Sequence, residues 1–133
     1  MEATRRQKQL VLILAREFAQ QLVTPVFISD DEGRLVFYNE SAEELLGRTF
    51  AEAGEMPAEE WQSMFEIETL EGAPMPLEEM PAGIALLERR PAHSSFHLRG
   101  LDGRKHVIAA TGIPLLGHEE AVHGIVVVFW EQH

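Results

Sequence analysis

The chain has 133 residues, 45% of them hydrophobic, which suits one domain with a real core. It carries 22 Asp and Glu against 11 Lys and Arg, a net charge of −11 that disfavours nucleic acid and anionic membrane as partners, since both require positive surface. The absence of cysteine excludes disulfides, thiolate metal sites, thiol nucleophiles and cysteine-linked chromophores, and no apolar run approaches the ~18 residues of a membrane span.

Residues 2–21 predict an amphipathic helix. Val11, Leu14, Phe18 and Leu22 recur at helical spacing, with Leu10 and Ala15 alongside and Arg5, Arg6, Lys8, Gln9, Arg16 and Gln20 on the polar faces. The apolar surface is broader than one stripe. The helix can therefore pack on its own sheet, pair with a second copy through Leu10, Val11, Leu14 and Phe18, or do both. The Leu10–Leu14 run is too short and too soon followed by Arg16 and Glu17 for a signal peptide, so a cytoplasmic protein is expected. The chain divides into this helix, residues 1–22, and a body, residues 23–131.

Thr24-Pro25 ends the helix, because the residue before proline avoids helical geometry. Val26–Ser29 and Leu35–Tyr38 then form a hairpin around Asp30-Asp31-Glu32-Gly33. Ser41 and Glu44 fit a capping box for a short helix that ends at Gly47. Beyond Arg48 the pattern weakens. Short helical turns are expected at Ala51–Glu55 and Pro57–Phe65, where a proline suits a helix start, and Glu71–Pro76 reads as a loop. A clearer helix, Glu78–Arg89, becomes regular at Pro81 and presents Met80, Ile84 and Leu87.

Three strands follow. His93–Arg99 alternates, Leu101-Asp-Gly-Arg104 is a tight turn, and Lys105–Leu115 and Ala121–Trp130 complete a meander. Two strands, short helices, one longer helix and three strands make an α+β fold with a five-stranded antiparallel sheet. On the fourth strand Ile108, Ala110 and Gly112 share one face and shrink along it. A face of such small residues must meet something close, either another element or a ligand.

Catalytic and metal chemistry find little support. No Gly-x-Ser-x-Gly elbow surrounds any serine, Asp30 and Asp31 read as turn residues, and Gly100-Leu-Asp-Gly103 is a hairpin rather than a phosphate loop. His93 and His97 share a strand face but stand roughly 13 Å apart, too far for one metal. His118 to His123 resembles a zinc-protease HExxH, but has one residue too many and lies on a turn entering a strand. Neither an enzyme nor a metal site is expected; the alternative of a small-molecule enzyme on an α+β scaffold would need convergent polar residues inside the sheet, where the inward positions are nearly all apolar.

Three segments taken in order resemble the PAS domain family. TPVFISDDEGRLVFYNESAEELLGRT is similar to that family's opening hairpin, its Asn and first helix. EGAPMPLEEMPAGIALLERRP is similar to the loop and F helix of a bacterial subgroup, and GLDGRKHVIAATGIPLL with HGIVVVFWE to its last two strands. The resemblance covers Val23 to Glu131. It implies a sensor of small molecules, redox state or light, a signal-transduction role, and dimerisation through the N-terminal helix and sheet or contact with a partner signalling protein. It also implies a pocket between the sheet and the F helix. With strand alternation, its walls are expected at Phe27, Tyr38, Leu46, Ile84, Leu87, Phe96, Leu98, Ile108, Ala110, Gly112, Val122, Gly124 and Val126, unless Trp61, Met64, Phe65 or Met80 fills the space.

Among that family's cofactors, covalent flavin is excluded because no cysteine is present. Noncovalent flavin is disfavoured by the apolar inward positions. Haem is left with His106 as its weak ligand, since the helix Met80–Arg89 contains no histidine. No cofactor is required. The chain is expected to be a stand-alone adaptor or part of a longer signalling protein, binding a small, largely apolar ligand or transmitting dimer state.

Overall fold

The computed structural model describes residues 2–132; Met1, placed in the N-terminal segment above, lies outside them. Helix α1 (Glu2–Gln20) leads into β1 (Val26–Asp30) and β2 (Leu35–Tyr38), a hairpin whose turn carries Gly33 at φ 82°. Helices α2 (Glu40–Leu46), α3 (Phe50–Ala53) and α4 (Ala58–Met64) follow. A 3-10 turn (Leu77–Glu79) precedes α5 (Pro81–Glu88). Strands β3 (Ala92–Arg99), β4 (Lys105–Leu116) and β5 (Val122–Glu131) complete the chain. The five strands form one antiparallel sheet in the order β2-β1-β5-β4-β3.

The sheet separates two apolar layers. Its inner face packs Phe27, Tyr38, Phe96, Ile108, Ala110 and Phe129 against α2, α4 and α5. On its outer face Val26, Ile28 and Phe37 pack with Ala19 of α1, joined by Leu12, Ala15, Val126 and Val128. Both faces are therefore hydrophobic, and period-two alternation alone does not say which is which.

Helix α1 lies along the outer face, and polar contacts pin it along its length. Lys8 Nζ stands 2.8 Å from Asp31 Oδ1 in the β1–β2 turn. His123 Nε2 is 2.6 Å from Gln7 Oε1. The Arg16 guanidinium sits 4.6 Å over the Phe37 ring. The Val11/Leu14/Phe18/Leu22 stripe read from the sequence does not face the sheet as a whole. Val11 and Leu22 are half-buried, while Leu14 is 58% and Phe18 65% exposed. Leu12, Ala15 and Ala19 make the sheet contact, together with Leu22 from the stripe.

Asn39, 1% exposed, is the junction of the N-terminal half. Its side-chain oxygen accepts from Val26 N at 3.0 Å and Ala42 N at 3.1 Å. Its amide donates to Ala19 O at 3.0 Å and Thr24 O at 2.9 Å. It is thus the N-cap of α2, which corrects the expected Ser41–Glu44 capping box. The Ser41 hydroxyl is drawn away to donate to Val23 O at 2.5 Å. The capping box of this region belongs to Thr49 and Glu52 at α3.

Tyr38 is fully buried, and its hydroxyl donates to Arg48 O at 2.8 Å. Burial, reinforced by the Glu43 carboxylate, pushes its pKa from 10.0 up to about 12. The native state then holds the phenolic proton more tightly than the unfolded chain does. This stabilisation is complete below pH 10 and is lost between about pH 10 and 12, on the order of 2 kcal/mol. Denaturant titrations across that range should show the loss in the native chain and a flatter profile in Tyr38→Phe. Equal slopes in the two proteins would contradict this account of Tyr38.

Candidate functional site

The inner layer encloses a chamber against the sheet. Phe27 of β1, Phe96 and Leu98 of β3, and Ile108 and Ala110 of β4 form its back wall. Leu46 of α2 closes one side. These six stand where strand alternation and the sequence resemblance placed them. Val127 and Phe129 of β5 complete the back wall, and Met80, Pro81 and Ala82 at the start of α5 close it from the front. Trp61 of α4 and Phe65, just past its end, also line it, with Ile67 beside them. They are 3% and 1% exposed.

The remaining residues expected on the wall are elsewhere. Tyr38 belongs to the same apolar layer but points to Arg48 O, off the chamber. Ile84 is half-buried away from the wall, and Leu87 is 63% exposed. The buried face of α5 is Pro81, Gly83 and Ala85. This helix, PAGIALLE, is apolar almost all round, so its periodicity singles out no inward face.

On β5 the parity shifts. Val122 still packs toward the inner layer. The register then slips between Leu115 and Leu116, so that Leu115 pairs with Gly124 while Leu116 pairs with Val122. Beyond this irregularity Gly124 and Val126 face α1. A Cβ on Gly124 would stand 2.6 Å from Ser29 O and 2.7 Å from Leu12 Cδ2, and Val126 packs in the outer layer.

Gly112 answers the question posed by the small-residue strand. A Cβ there would overlap the carbonyl group of Pro81. What comes close is therefore the backbone of α5, not a ligand. Ala110, one pleat away, does reach the chamber.

The free space left in the chamber is about 50 Å³, and the surface around it is wholly apolar. That admits a few small atoms. Pockets for drug-sized ligands or cofactors run to ~300–1,000 Å³, so haem or flavin would require Trp61, Phe65 or Met80 to leave. His106, the weak haem ligand, is 5% exposed and off the wall. Its Nδ1 stands 2.7 Å from Glu131 Oε2 at the sheet's end. Among the described residues no group of three or more His, Asp or Glu could hold a metal. No helix among them is long and apolar enough to cross a membrane.

A second apolar space lies on the opposite side of the sheet. Leu14, Ala15, Phe18 and Leu22 on one side, with Ile113, Leu115, Val126 and Val128 on the other, line a groove of about 470 Å³. The sequence held the signal for it in the broad apolar surface of α1 and in the outward parity of Ile113 and Leu115.

The architecture is shared with solved structures. A PAS domain from Colwellia psychrerythraea superposes with a TM-score of 0.66 at 15% identity, over 92% of this chain and 97% of its own. A Rhodobacter sphaeroides LOV protein gives 0.71 at 13% identity, over 92% and 68%. The PAS domain of nitrogen regulation protein NR(II) from Vibrio parahaemolyticus gives 0.62 at 15%, over 90% and 98%. At such identities the likeness is one of fold. No curated protein sequence matches the chain. The sequence profile of the PAS fold, however, matches residues 19–132. With the sheet order and the chamber beneath it, that match makes the chain a member of the PAS fold family.

Proposed function

We propose that this PAS domain is a signal-input module that senses through the inner chamber and reports through α1, working as a homodimer. The observation that carries the reading is the shared sheet. On β1 and β5, Phe27 and Val127 face the chamber, while the neighbouring Ile28, Val126 and Val128 face α1. A change in packing on one side therefore meets the other through the same strands. A ligand for this chamber is small and largely apolar.

A second copy is the occupant that best suits the outer groove. Leu10, Ile13, Leu14 and Phe18 of α1 are each more than half exposed beside it, an apolar surface of the kind that marks interaction sites. Residues 2–20 hold four basic and two acidic residues, a net +2, which leaves −13 for the rest of a chain totalling −11. The helix of one copy thus complements the body of another. A separate signalling protein is the alternative occupant.

Light scattering on the full chain should give twice the 15.0 kDa chain mass. Leu14→Glu and Phe18→Glu should give monomers with unchanged circular dichroism, since both side chains are exposed within one copy. A native chain that stays monomeric at high concentration would remove the dimer from this reading.

A further inference from the structure

Trp61 is held in the chamber by two directional contacts. Its ring meets Phe27 edge-on, with centroids 5.1 Å apart and planes at 71°. Its Nε1 donates to Gly33 O at 3.0 Å, a buried hydrogen bond across 28 residues of sequence. The chamber surface is otherwise apolar, so the Gly33 carbonyl supplies the polar contact that fixes the ring's orientation. Trp61 is carried on α4, a seven-residue helix with no side-chain hydrogen bond at its N-cap, Pro57. Glu59, Glu60 and Ser63 on the same helix are exposed, so α4 covers the chamber from outside. It is followed by Glu66 at φ 42°, left-handed backbone that a non-glycine residue adopts at a cost. The indole is thus mounted on a short, exposed cover, next to the 50 Å³ of space that remains free.

We propose that Trp61 is the chamber's resident occupant, and that the native ligand is a planar aromatic molecule with one hydrogen-bond donor, which binds by taking the indole's place between Phe27 and the Gly33 carbonyl. This rests on the chamber being the sensory site. Shape and chemistry follow from what the indole now satisfies: a flat ring for the apolar walls, a donor for the carbonyl, and no charge. Free space of 50 Å³ cannot take a ring beside Trp61, since cavities that hold benzene are ~150 Å³. Entry and displacement are therefore one event, and it moves α4.

Indole itself is the probe. The chain has two tryptophans, and Trp130 is 41% exposed on the outer face. The two side-chain N–H signals in a nitrogen-edited proton spectrum are therefore separable. Indole added to the native chain should move the Trp61 signal to a solvent-exposed position and leave that of Trp130 in place. Trp61→Phe, which keeps a ring but loses the tether, should bind indole about tenfold more tightly than the native chain. In Trp61→Ala, 1-methylindole, which has the ring without the donor, should bind about tenfold more weakly than indole.

A native Trp61 signal that does not move up to the solubility limit of indole overturns the proposal. So does equal binding of indole and 1-methylindole by Trp61→Ala. The native spectrum decides the matter even if neither variant folds. A chain that dimerises through α1 but ignores indole refutes this inference and leaves the homodimer reading intact. A monomeric chain that takes up indole does the reverse.

Discussion

Asn39→Ala is expected to destabilise the protein by about 4 kcal/mol, a large share of the ~5–15 kcal/mol typical of a domain. The side chain ties three segments together: the end of α1 through Ala19 O, the start of β1 through Val26 N, and the N-terminus of α2 through Ala42 N. Alanine removes all of these bonds at once, at a site 1% exposed. A buried donor left without a partner costs ~1–3 kcal/mol, and loss of an N-cap alone ~1 kcal/mol. Asp at this position would keep the acceptor but turn a carboxylate oxygen toward the Ala19 and Thr24 carbonyl oxygens, so Asn39→Asp should also be strongly destabilised. Urea denaturation measures both variants, and a loss below 1 kcal/mol for Asn39→Ala would show that the junction is not what joins α1 to the body.

Gly112→Val should cost on the order of 3 kcal/mol, for a different reason. Overpacking is costly when the obstacle is backbone, because no rotamer change relieves it. The new Cβ would overlap the Pro81 carbonyl, with Ala82 N also only 3.1 Å away. Relief requires α5 to lift from β4. Pro81 and Ala82 form the front wall of the chamber, so the same substitution should enlarge the space behind them. The expected result is a lower unfolding midpoint together with new binding of a small apolar probe such as benzene. A midpoint unchanged within about 0.5 kcal/mol would mean that α5 does not rest on this glycine.

These two residues show how the sequence could and could not be read. The strands, the hairpins and the helix start at Pro81 follow from local chemistry: β-branched runs, turn residues and a proline tolerated only in a first turn; the pairing of β1 with β5, nearly a hundred residues apart, does not. Facing was harder, because it depends on what covers each side. On β5 every residue from Ile125 to Phe129 is apolar, since α1 covers one face and the chamber the other. Alternation then gave two equivalent answers, and the irregularity at Leu115/Leu116 decided between them. On α5 the all-round apolar surface hid that Leu87 is exposed and that Pro81 and Ala82 form the wall. Ser41 looked like a cap because it stood three residues before Glu44, but Asn39, two positions earlier, has tertiary partners that no local spacing reveals.

The small-residue face of β4 holds both outcomes. Gly112 meets a helix backbone and Ala110 meets the chamber, one pleat apart. A strand that must admit α5 at one point and leave room at the next needs that gradient of size. The chamber is nearly filled by Trp61, Phe65 and Met80, which leave about 50 Å³, whereas the groove beside α1 keeps about 470 Å³. In this account the inner face is occupied by the chain's own side chains and the outer face awaits a second copy.

Native mass spectrometry of the full chain tests both halves of that statement in one spectrum. The account predicts a dimer of twice 15.0 kDa with no retained mass of haem or flavin size. A monomer, or a dimer carrying such a cofactor, would contradict it.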